Sequence, residues 1–152
     1  MDIENKEFLL FLKCAQENNL RYLCIGGFAV NYYGFHRFTE DMDIWIAPTS
    51  ENKACFLNTL KCMEYPEDEI ARISKKDFST YFMCTLGIPP NVIDILTIIH
   101  KNVEFDKAEE EIVMHQMENG IILKFIPYTF LKKIKLLSGE TKNCGILPGW
   151  KN

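Results

Sequence analysis

The sequence predicts an α/β domain in which short apolar strands alternate with amphipathic helices. Three observations carry this. Residues Asn5 to Asn18 place Phe8, Leu9, Phe11, Leu12 and Ala15 on one side at helical spacing. The stretch Ile25 to Ile46 reads as strand, glycine turn, short helix, loop and strand. The segment Val92 to Ile99, VIDILTII, is the most β-branched in the chain and fits a buried central strand.

The elements follow in order. The first helix ends at Asn18-Asn19, and Leu20 to Ile25 forms the first core strand. Gly26-Gly27 turns the backbone into a second helix from about Phe28 to Tyr33, which Gly34 closes as a C-cap. A loop, Phe35 to Glu40, leads to the second strand through Asp41-Met42-Asp43. Pro48-Thr49-Ser50 is a stop followed by a cap, and a third helix spans about Glu51 to Met63 with Ala54, Leu57, Leu60 and Cys62 inward. Glu64 to Lys76 is polar and reads as a surface connection with a short helical turn. Phe78 to Leu86 is apolar and aromatic, and Gly87-Ile88-Pro89-Pro90-Asn91 is a turn. After the central strand come a helix with an acidic face, Phe105 to Met117, a strand, Ile121 to Ile126, and a helix, Pro127 to Leu137. From about 138 the tail, SGETKNCGILPGWKN, has no period and no assigned element.

The totals set bounds on function. A chain of 152 residues is expected to form a single domain, 1–152, with a real core. Its 47% apolar and 25% charged residues argue against disorder. A net charge of −4 excludes a generic nucleic-acid binder held by a basic surface. No apolar run approaches the roughly 20 residues needed to span a bilayer. The acidic start MDIENKEF lacks a secretory pattern, so a cytoplasmic location is expected. Six cysteines without a C-x-x-C pair, mostly in apolar stretches, suggest reduced thiols rather than a disulfide framework.

The chemistry concentrates in three acids. Side chains alternate along a strand, so Asp41 and Asp43 point one way while Met42 and Ile44 point into a core. Two adjacent carboxylates repel unless a divalent cation or a shared proton relieves them. Asp94 interrupts VIDILTII, and a lone buried carboxylate costs several kcal/mol. Placed beside Asp41 and Asp43, it completes a set suited to two Mg2+ ions about 3.5–4 Å apart, clamping an in-line phosphoryl displacement. Asp41 and Asp43 would then hold the ions, and Asp94 would bind the second and orient the attacking hydroxyl or accept its proton. Gly26 and Gly27 offer backbone N–H groups to phosphate oxygens, or simply a tight turn. Arg37 pairs either with a phosphate or with Glu40 or Asp41, and Thr39 with the loop. Lys135 reaches a phosphate or stays solvated. Tyr32, Tyr33 and Phe35 are a base-stacking surface or core packing.

GGFAVNYYG, RFTEDMDIW, PPNVIDILT and Lys135 together resemble the nucleotidyltransferase-fold superfamily, the DNA polymerase β-like enzymes. More narrowly, they resemble a family of small prokaryotic stand-alone nucleotidyltransferase-like proteins. The likeness runs from about Leu20 to Gly139. It implies a mixed, twisted sheet with helices packed mainly on one side, and catalytic acids Asp41, Asp43 and Asp94. It also implies Mg2+, a nucleoside triphosphate, and transfer of a nucleoside monophosphate to a hydroxyl with release of pyrophosphate. The acceptor is left open among a small molecule, RNA and protein. Relatives of this type include toxins of toxin–antitoxin and abortive-infection systems, which implies an antitoxin-like partner. Where the family carries GR-x-KD, this chain has Gly139-Glu140-Thr141-Lys142-Asn143. That atypical tail motivates the alternative of an inactive module that binds a nucleotide or a partner.

Overall fold

The computed structural model describes residues 5–36, 38–117 and 119–138. Along the chain it contains α1 (Lys6–Glu17), β1 (Tyr22–Ile25), α2 (Gly26–Tyr32), β2 (Met42–Ile46), α3 (Ser50–Cys62) and α4 (Glu67–Ser74). There follow β3 (Met83–Leu86), β4 (Ile93–Leu96), α5 (Phe105–Glu109), β5 (Val113–Gln116), β6 (Ile122–Phe125) and α6 (Tyr128–Ser138). The six strands form one mixed sheet in the order β3-β4-β2-β1-β6-β5. β2 is antiparallel to β1 and parallel to β4; β1 is parallel to β6; β3 and β5 are antiparallel edges. None of the helices among the described residues is long and apolar enough to cross a membrane.

The register divides the sheet into two faces. On one, Cys24, Met42, Ile44, Ile46, Ile93, Ile95, Leu123 and Phe125 are buried. α1 covers this face, with Phe11 edge-on to Tyr22 at 6.2 Å. α3 packs beside α1, and α4 beside α3. The other face carries Asp43 and Trp45 of β2 in register with Asp94 and Leu96 of β4, which are in turn opposite Thr85 and Met83 of β3. Trp45 is buried there, edge-on to Phe105 of α5 at 5.1 Å. Toward β3 the same face opens: Leu96 is half-buried and Met83 is exposed.

Several sequence expectations shift. The helix expected from Phe105 to Met117 stops at Glu109, and Val113–Gln116 pairs with β6 as a hairpin closed at Gly120. β-branched Ile112-Val113 and the turn glycine, at φ +84°, outweigh the helical pattern. The expected helical turn within Glu64 to Lys76 is a full helix, α4, with Glu67, Asp68 and Glu69 at its positive end and Ile70 and Ile73 buried. α3 is rotated from its predicted phase. It buries Asn52, Phe56, Thr59 and Leu60, while Ala54 is exposed and Leu57 and Cys62 are half-buried. Cys14 and Cys62 are joined as a disulfide, Cα atoms 5.7 Å apart, whereas Cys24, Cys55 and Cys84 are free thiols. The packing of α1 on α3 brings the two together, which a sequence separation of 48 conceals. The residues from 139 onward, Cys144 among them, lie outside the described residues.

Asn52 explains the rotation of α3. Its side chain is buried, accepts from the Arg21 N–H at 2.8 Å, and donates to the Arg21 and Ala47 carbonyls at 3.0 and 3.1 Å. It ties the start of β1 to the end of β2. Asn52→Ala leaves those backbone groups unpaired and should destabilise the fold by about 2–4 kcal/mol, read as a lowered urea midpoint with an unchanged slope.

Candidate active site

The site is assembled at the end of β1, the start of β2 and the start of β4. Asp43 is directly opposite Ile25 on one side and Asp94 on the other. In parallel strands such partners project to the same face, so two half-buried carboxyl groups stand side by side. Burial pushes the Asp43 carboxyl up from 3.8 to about 7. The nearby charges of Asp94 and Asp41 push the same way, while the ammonium of Lys135 pulls it down. A proton retained on Asp43 relieves the repulsion between the two acids.

Asp94 has a second partner. The Thr85 hydroxyl on β3 donates to its Oδ1 at 2.8 Å. Asp41 lies one residue before β2, and its Oδ1 accepts from the Val92 N–H at 3.4 Å, at the threshold of β4. Asp41 therefore helps fasten the entry of β2 to that of β4. Among the described residues no group of three His, Cys, Asp or Glu side chains is arranged to hold a metal ion. Asp43 and Asp94 are the two carboxyl groups that stand side by side, and a divalent cation held between them would neutralise their charge in place of the proton.

The two glycines have separate steric tasks. A Cβ on Gly26 would stand 2.1 Å from Asp43 Oδ2, and the residue's φ of +69° suits glycine. A Cβ on Gly27 would stand 2.7 Å from the Thr39 Cβ. Thr39 in turn donates its hydroxyl to the Asp41 carbonyl at 3.2 Å. Gly26 thus makes room for the Asp43 carboxyl, and Gly27 seats the loop that delivers Asp41. This partnership between each glycine and the acid loop is not visible in the motif alone.

Lys135, on α6, acts on Asp43 through its charge. Arg37 lies outside the described residues. The aromatic residues at the end of α2 and just after it are engaged within the fold: Tyr32 stacks on Phe125 at 4.0 Å, and Phe35 on Tyr128 at 6.1 Å. Tyr33 donates its hydroxyl to the Ile126 carbonyl at 2.6 Å. Thr85, which donates to Asp94, carries no signal in the sequence beyond its place on a strand that pairs with Asp94.

No protein-family model, curated protein or solved structure matches this chain.

Two outcomes follow. Gly26→Ala sets a methyl group against the Asp43 carboxyl and strains a positive φ; a loss of about 2 kcal/mol or more is expected in chemical denaturation. Asp43 also makes stability depend on pH. Below about pH 4 folded and unfolded chains both hold its proton. As pH rises toward 7 the unfolded chain releases the proton and the fold retains it, so stability falls, and above 7 the loss is complete. Asp43→Asn never ionises. Its stability advantage over the wild type should be on the order of 2–4 kcal/mol at pH 8 and shrink toward zero by pH 4, measured by urea titration across that range.

Proposed function

We propose that this protein is a magnesium-dependent nucleotidyltransferase that moves a nucleoside monophosphate from a nucleoside triphosphate to a hydroxyl acceptor. The observation that carries the reading is the cross-strand pair Asp43–Asp94, set on an open sheet face beside a glycine that clears space for it. The fold would otherwise gain nothing from two carboxyl groups held in repulsive contact. The resemblance of GGFAVNYYG, RFTEDMDIW and PPNVIDILT to nucleotidyltransferases points the same way.

In this reading Asp43 and Asp94 hold the cation, and Asp41 flanks them as a third carboxylate. Bound magnesium supplies charge neutralisation for the triphosphate and polarises the phosphorus under attack. The proton on Asp43 leaves as the site loads, so loading strengthens as pH rises through about 7. Lys135 and the backbone of Gly26-Gly27 stand on the phosphate side. Asp94 accepts the proton of the acceptor hydroxyl as its oxygen bonds to the α-phosphorus and pyrophosphate departs. RNA, protein and small molecules all supply such hydroxyls.

One observation favours a second reading. Among the described residues the three acids do not form a metal-holding group, and Asp41 is turned to a backbone N–H. A module that binds a nucleotide without transferring it would keep the pair and dispense with the third ligand. Incubation with each α-labelled triphosphate, Mg2+ and a cell extract separates the two. The transferase reading expects label in an acceptor fraction, reduced at least a hundredfold in Asp43→Asn. Equal labelling by the variant removes the mechanism, and binding without labelling supports the module.

A further inference from the structure

We propose that Thr85 is a positioning residue for Asp94, fixing the carboxylate so that one oxygen stays available to the cation. The inference rests on the reading that Asp43 and Asp94 hold a divalent ion, and adds an outer member to that site. Residues Ile25, Asp43, Asp94 and Thr85 form one lateral row across β1, β2, β4 and β3. Thr85 is the last member, on the edge strand, and is exposed.

An exposed threonine hydroxyl has water as a partner, so its bond to Asp94 contributes little to folding. What the bond does is directional. The terminal torsion of an aspartate is broad, and a carboxylate held at one end only would swing. Asp94 is held at both ends: Oδ1 accepts from Thr85 at 2.8 Å, and Asp43 lies on the opposite side. With Oδ1 committed outward, the other oxygen is the one left for an ion shared with Asp43. A short side chain directly opposite Asp94 is what that reach requires. Hydrogen bonds to ligating carboxylates of this kind tune metal affinity without touching the metal.

The test is calorimetric titration of Mn2+ alone into the full chain, comparing wild type with T85V, T85S and D94N. Valine keeps the shape and strand preference of threonine and removes only the hydroxyl. T85V should bind Mn2+ about tenfold more weakly and T85S within about twofold of wild type, with the melting temperatures of both like that of wild type. Wild-type affinity in T85V, or T85S as weak as T85V, overturns the role of Thr85 and leaves the acid pair standing. D94N binding as tightly as wild type, or no binding by wild type, brings down the carboxylate site itself and Thr85 with it.

Discussion

The structure turns on one unfavourable neighbour relation, Asp43 against Asp94 across parallel strands. Register enforces it. The same two strands bury Ile44 against Ile95 on the opposite face, so sliding either strand by a residue would drive its own carboxyl group into the apolar layer. The buried face thus pins the acids on the open one. Trp45 reinforces this by donating its indole N–H to the Thr97 carbonyl at 3.0 Å, locking the far ends of β2 and β4. The acid pair is held in place by burial of the neighbouring residues on the opposite face.

Around that pair the smaller contacts form a chain of cause. Gly26 exists as glycine because a carboxyl oxygen occupies the space a methyl would need. Gly27 exists as glycine because Thr39 leans on it, and Thr39 in turn grips the carbonyl of Asp41. The motif that looks like two separate words, a glycine pair and an acid pair, is one piece of packing. Its spacing is set by the length of α2 and of the loop that returns over it.

Much of the arrangement was legible in the residues, for physical reasons. Alternation placed Asp43 opposite in direction to Met42 and Ile44, and those two are buried. An acid inside VIDILTII had to face somewhere other than the core, and Asp94 does. What failed to show in one dimension was set by partners remote in the chain. Val113–Gln116 is a strand because Ile122–Phe125 lies ready to receive it. α3 turns Asn52 inward because two backbone segments need its amide. The disulfide between Cys14 and Cys62 follows from helix packing alone. Thr85 gains its interest only from standing opposite Asp94.

The sheet order has a consequence for how the chain is made. β1, at residues 22–25, is completed on one side by β6, at residues 122–125, with Cys24 opposite Phe125. During synthesis its inner edge waits about a hundred residues for that partner, at a rate of roughly 5–20 residues per second. For some seconds the ribosome therefore displays an open, apolar strand edge of the sort that recruits other strands. The last hairpin to emerge is the one that seals the centre of the molecule, so the β1 edge stays open to chaperones and to aggregation until it arrives.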